Sequence, residues 1–250
     1  MASSDEEPRP EQHKPADVTR QPVFLLPAPV LALCGLLLAI QLATDVVLDD
    51  AGREALLNWF AFVPYRALAS ADLTGGWLPL LWTPFTHAFL HSGWEHVGIN
   101  VVWLAIFGTP VAQRYGAARF YAVFLIGAAL GAAAFAATTL PQVQVLVGAS
   151  GGIAALTGAA VRFVFQPPIV VVDEATGERR AVGRRLASLS EFVRNPTARF
   201  FSIVWLVLNG LVPLAPVMLA GQTVGIAWQA HIAGFLTGLL LVPLLEKRRG

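Results

Sequence analysis

One serine stands out for the residues around it. Ser150 lies in VGASGGIAAL, among glycines and alanines and just ahead of a longer apolar run. A serine hydroxyl becomes a useful nucleophile when a neighbouring base takes its proton. The chain has five histidines, and His13 falls in a polar stretch near the N-terminus. His87, His91 and His96 cluster in FTHAFLHSGWEHVGIN, which ends at Asn100, and His231 sits in WQAHIAGFLTG. His96 and Asn100 are four residues apart, so on a helix they project from one face. His87 and His91 share that spacing just upstream, in what reads as a short helical turn. Imidazoles also suit zinc. However, no H-E-x-x-H is present, and Glu95 beside His96 points about 100° away on a helix. Small residues at helical spacing equally make a surface for helix packing. On its own, GASGG fits a nucleophile or a contact surface.

The elements that must position these residues are membrane helices. Of 250 residues, 56% are hydrophobic and 13% charged, and the mean hydropathy is +0.62. Six apolar runs approach the ~20 residues needed to cross a ~30 Å hydrocarbon core: residues 24–47, 94–112, 120–140, 143–165, 200–219 and 224–245. The fold class expected is therefore all-α and polytopic, with six transmembrane helices. The first 22 residues read as a disordered cytoplasmic tail with no cleavable signal peptide. The membrane domain covers 23–246, and 247–250 form a second cytoplasmic tail. The single cysteine, Cys34, lies inside the first run and excludes a disulfide within the chain. A net charge of +1 gives no indication of nucleic-acid binding.

Charge sets the orientation. With six spans, all of the 17 basic residues except Arg53 and Arg66 fall on one side, which by the positive-inside rule is the cytoplasm. Both termini lie there. The outer loop, 48–81, is rich in aromatic residues and suits the membrane interface. The inner loop, 166–198, reads as a solvated basic loop or, through its DEATGE turn, a short hairpin. In this arrangement Ser150, His96, Asn100 and His231 all come toward the non-cytoplasmic side. From Gly148 to Val161 a helix covers only about 21 Å, so Ser150 is recessed below the outer surface. Non-helical backbone at that depth has to be buried or to face a water-filled cavity.

Three separated segments together resemble the rhomboid family of intramembrane serine proteases. HAFLHSGWEHVGIN is similar to its H-x-x-x-H-x-x-x-x-H-x-x-x-N signature, GASGG to its G-x-S-G nucleophile motif, and AHIAGFLTG to its A-H-x-x-G-x-x-x-G final span. The resemblance runs from about Trp82 to Leu245. It implies a rhomboid-like bundle with a Ser–His dyad, no metal and no cofactor. In it Ser150 is the nucleophile and His231 the base. His96 and Asn100, with the Ser150 N–H, hold the oxyanion. His87, His91, Gly148, Gly151, Gly234 and Gly238 support the site, and the glycines let the fourth and sixth helices approach. The implied substrates are membrane proteins cut in or near a transmembrane segment within the lipid bilayer. The membrane expected is a bacterial inner membrane, since no organelle-targeting segment is visible and the chain is compact.

Three positions depart from the family pattern. Ala154 stands where an aromatic residue commonly stacks on the histidine, so either another ring, such as Trp228 or Trp103, orients His231 or the histidine is held less firmly. Trp82–Thr83 stands where a Trp-Arg pair is common, and Gln113 where a glutamate is common. Two rival functions remain: a catalytically inactive family member that binds membrane proteins, and a metal or ion transporter built on the histidine cluster. An inactive relative would be expected to lack the serine or the histidine, and both are present. A transporter would need an ionisable relay through the inner halves of the spans, which show none.

Overall fold

A computed structural model of the chain describes residues 26–174, 177–211, 218–219, 222–223 and 227–246. The expected tails at 1–22 and 247–250, and parts of the fifth and sixth apolar runs, lie outside these residues. The chain is mostly helical. Helix α1 (Ala28–Val47) buries one stripe, Val30, Leu33, Cys34, Leu37 and Gln41, and exposes Leu31, Leu42 and Val46 on the other side. That is the pattern of a helix with protein on one face and hydrocarbon on the other.

After α1 the outer loop is largely helical. Asp49 caps α2 (Asp50–Phe60) by accepting from Gly52 N–H at 2.8 Å. Short turns then lead to α3 (Thr83–Thr86). Arg66, one of the two basic residues assigned to the outer side, is buried and holds this loop together. It donates to the carbonyls of Asn58, Thr74 and Gly76 at 2.7, 2.7 and 2.9 Å. The Trp82 ring stacks on Trp59 and its N–H reaches the Trp59 carbonyl at 2.7 Å.

Helix α4 (Trp94–Trp103) continues through a π turn at Leu104–Gly108 into α5 (Thr109–Thr139). The 46 residues from Trp94 to Thr139 would make a rod of about 69 Å, twice the hydrocarbon thickness. The rod is broken at Gly116, where φ is +76° and ψ 174°. Only glycine adopts that conformation without strain. The loop expected at 113–119 is therefore a one-residue break between two helices of about 33–35 Å each. Three apolar helices in the described residues are long enough to cross a membrane: Ala28–Val47, Trp94–Thr139 and Trp228–Leu245.

The run at 143–165 is corrected. Only α6 (Ser150–Val161) is helical, and 143–149 forms a connection that pairs with the outer loop. Phe62 and Leu146 exchange both backbone hydrogen bonds, at 3.1 and 2.9 Å. All of Gly151–Val161 is buried, so α6 is the centre of the bundle. It packs most extensively on α5 and on α9 (Trp228–Leu245). Hydroxyls in these helices bond to carbonyls one turn back, as Thr157 does to Ile153 at 2.9 Å, which satisfies them without water.

Two small antiparallel pairs accompany the helices. Strands β1 (Pro168–Val172) and β2 (Arg179–Arg184) form a hairpin with a bulge at Ile169/Val170. The β-branched run from Ile169 to Val172 favours a strand. Of the two readings of the inner loop, the hairpin is the one observed. The loop also holds α7 (Leu189–Arg194), capped by a Ser188–Glu191 capping box, and leads into α8 (Pro196–Leu211). Strands β3 (Met218–Leu219) and β4 (Gln222–Thr223) form the second pair.

Candidate active site

Ser150 is the first residue of α6, and Ala149 is its N-cap. Peptide N–H groups at a helix N-terminus have no partner within the helix, and they favour negative charge nearby. The segment that delivers the serine is held from one side by the histidine cluster. Gly148 N–H donates to the His87 carbonyl at 3.0 Å, and Ala149 N–H donates to His91 Nε2 at 3.3 Å. Gly148 has φ of +116°, and a Cβ there would lie 2.8 Å from the His96 ring. Backbone conformation and ring contact each require glycine.

His87 lies in a 3-10 turn (His87–Phe89) that follows α3, whereas His91 follows the extended Leu90. The single short helix expected to carry both is therefore broken, and the two side chains do different work. His87 is buried, and its Nδ1–H donates to the Thr83 carbonyl at 2.9 Å. Burial pushes the His87 imidazole down to about 4. It pushes His91 down to about 3, with the nearby His96 adding to the shift. Both rings are thus neutral at pH 7, which His91 requires in order to accept from Ala149.

His96 and Asn100 occupy one face of α4. Asn100 is buried and uses one amide N–H on the His96 carbonyl at 2.9 Å, leaving its second N–H free of any partner among the described residues. His96 Nδ1 faces Ser92, whose Oγ lies at 3.1 Å and whose N–H lies at 3.5 Å. Reasoning from the sequence passed over Ser92, although the spacing Ser92-x-x-x-His96 was there to be read.

His231 comes from α9, and the packing of α9 on α6 sets its height. Gly234 lies against the carbonyl of Gly151 and Gly238 against that of Ala155, while from the other side Gly158 lies against the carbonyl of Phe235 and Gly151 faces that of Ala230. The helices therefore run parallel, with Gly-x-x-x-Ala facing Gly-x-x-x-Gly. These contacts pair residues 77 to 83 apart, which sets His231 level with the first turn of α6, the turn that begins at Ser150. His96 and His231 lie within electrostatic reach of one another. Ala230, immediately before His231, is wedged against Gly131 on α5 and Gly151 on α6.

Of the alternatives left by Ala154, a substitute ring over His231 is not observed. Trp103 stacks on Phe107 with ring centroids 5.3 Å apart, Trp228 is 40% exposed, and among the described residues no ring stacks on His231. Its Nδ1 is buried without a hydrogen-bond partner. Ala154 itself packs at the α6–α9 contact, its Cβ 3.1 Å from where a Cβ on Gly234 would lie.

At the opposite end of α6, Arg162 is buried and donates to the carbonyls of Ala187 and Leu239, the latter at 2.6 Å. Arg114, next to the break at Gly116, donates to Glu246 Oε1 at 2.9 Å, and the Tyr115 hydroxyl donates to the same oxygen at 2.6 Å. Glu246 follows the last turn of α9 and ties it to the segment just before the break at Gly116.

The fold and the site together define a helical membrane protein whose serine, histidines and asparagine gather at one end of a buried short helix. A profile of the Rhomboid domain matches residues 79–248, and the chain belongs to the rhomboid family. It is 35% identical to human rhomboid-related protein 3 over 79 residues, 32% of this chain and 19% of that protein. It is 23% identical to the rhomboid protease GlpG of Pectobacterium atrosepticum over 207 residues, 82% of this chain and 59% of that protein. The chain therefore spans under two thirds of the length of either relative.

Proposed function

We propose that this protein is an intramembrane serine endopeptidase that cuts membrane proteins in or near a transmembrane segment. The observation that supports the reading is the parallel packing of α6 against α9, in which His231 is level with the first turn of α6, where Ser150 stands. In the reaction, Ser150 Oγ attacks the scissile carbonyl as His231 takes its proton. The tetrahedral oxyanion receives hydrogen bonds from His96, from the free N–H of Asn100 and from the Ser150 N–H, each worth ~3–4 kcal/mol in a site shielded from water. His231 returns the proton to the leaving amine. Water then attacks the acyl-enzyme, losing its proton to His231, and Ser150 is released. Preference for loosened substrate helices follows, since a stable helix hides its carbonyls in its own hydrogen bonds.

The same proposal sets the protein in the bilayer with six spans: α1, the two halves of the rod broken at Gly116, α6, the segment of α8, and α9. By the positive-inside rule both termini and the β1–β2 hairpin are cytoplasmic, and the site opens to the other side. The membrane proposed is a bacterial inner membrane.

The test is cleavage of a single-span substrate by purified protein, comparing wild type, Ser150→Ala and His231→Ala. Cleavage by wild type alone, with fluorophosphonate labelling lost in Ser150→Ala, supports the reading. Equal cleavage by all three proteins overturns it. Chelator-sensitive activity that survives Ser150→Ala would favour a metal site, and substrate capture without cleavage an inactive binder.

A further inference from the structure

Ser92 lies two residues before α4 and is exposed. Its N–H and Oγ both face His96 Nδ1, at 3.5 and 3.1 Å. A backbone N–H can only donate. Nδ1 must therefore be the acceptor, and the neutral His96 ring carries its single proton on Nε2. That nitrogen faces the serine loop. A Cβ placed on Gly148 would lie 2.8 Å from His96 Nε2 and 3.8 Å from Ser150 Oγ. The adjacent His91, its ring 5.0 Å away and edge-on, uses its own Nε2 to accept from Ala149. Ser92 is thus the group that meets Nδ1.

We propose that Ser92 is a positioning residue that selects the Nε2–H tautomer of His96. It rests on the reading of His96 as an oxyanion donor. The opposite tautomer would aim a lone pair, rather than a proton, at the space where the substrate oxygen becomes negative. One hydroxyl and one N–H outside the membrane helix thereby decide whether His96 stabilises or repels the charge that Ser150 creates. An exposed serine can be replaced without leaving a cavity, so the role is separable from folding.

The experiment compares wild type, Ser92→Ala, Ser92→Thr and Ser150→Ala in steady-state cleavage, and records the 15N resonances of His96 in histidine-labelled protein. In Ser92→Ala only the 3.5 Å backbone contact remains. The expected result is a kcat about five- to tenfold lower at unchanged KM, with activity restored by Ser92→Thr. The neutral His96 ring shows a protonated Nε2 in wild type and a mixture of tautomers in Ser92→Ala. An unchanged kcat with an unchanged tautomer overturns the proposal. So does a lower kcat with no tautomer change, which would mark Ser92 as merely structural. Cleavage that survives Ser150→Ala would instead defeat the protease reading, and the 15N spectra would still decide the tautomer.

Discussion

The two ends of α6 are built on different rules. At the inner end the charged groups are fully engaged. Arg162 is closed onto two carbonyls, and Arg114, Tyr115 and Glu246 share one oxygen. At the outer end the polar groups are numerous and only partly used. The Nδ1 atoms of His91 and His231 are buried without partners among the described residues, and Asn100 spends one N–H of two. Buried polar groups are ordinarily paired because leaving them unpaired costs about 1–3 kcal/mol each. The inner end leaves one such group, Gln166 Nε2, and the outer end leaves several, so the two ends differ in how many buried polar groups the fold leaves unpaired.

Four substitutions or conditions break or sharpen this contrast. The largest effect should come from Gly238→Val, between the two ends. The added side chain would meet the Ala155 carbonyl, which is backbone and cannot step aside. The expected outcome is loss of the folded bundle, read as collapse of the unfolding midpoint in an SDS titration. Survival of a folded protein would show that the register is not set by this contact. Asn100→Ala comes next. It should lower kcat by about 10²–10³-fold with little change in that midpoint, since the side chain's one internal bond is to its own helix.

Arg162→Met should do the reverse. Removing the guanidinium leaves the carbonyls of Ala187 and Leu239 unpaired and should cost about 2–4 kcal/mol of stability, while kcat per folded molecule is retained. Equal loss of activity and stability in both variants would erase the distinction between the ends. The smallest effect is pH dependence of stability. His87 and His91 are held down to about 4 and about 3 from an ordinary 6.5. Between those values the unfolded chain binds more protons than the folded one, so stability should fall as pH drops below about 6.5. Thermal denaturation from pH 7 to pH 5 measures it, and His87→Gln should flatten the slope.

Long-range polar contacts at both ends were beyond the reach of the sequence. At the inner end Glu246 accepts from Arg114, over a hundred residues earlier. In the outer loop Arg66 bonds to three carbonyls of its own loop. Such contacts cannot be read from order along the chain, because a hydrogen bond depends on distance in space. The run of Ile169–Val172 was read with two outcomes, and the hairpin is the one the fold adopts.

By itself the sequence determined that this is a helical membrane protein. It also picked out the glycines, histidines and serine worth following, because hydrophobic run length and small-residue spacing are local properties that hydrocarbon solvent enforces directly. Only the tertiary structure decided that 143–149 pairs with the outer loop instead of extending α6, that a single glycine divides the 46-residue rod, and that no ring stacks on His231 among the described residues. Each of these depends on which backbone lies across from which, and that is fixed by helix packing rather than by any one segment.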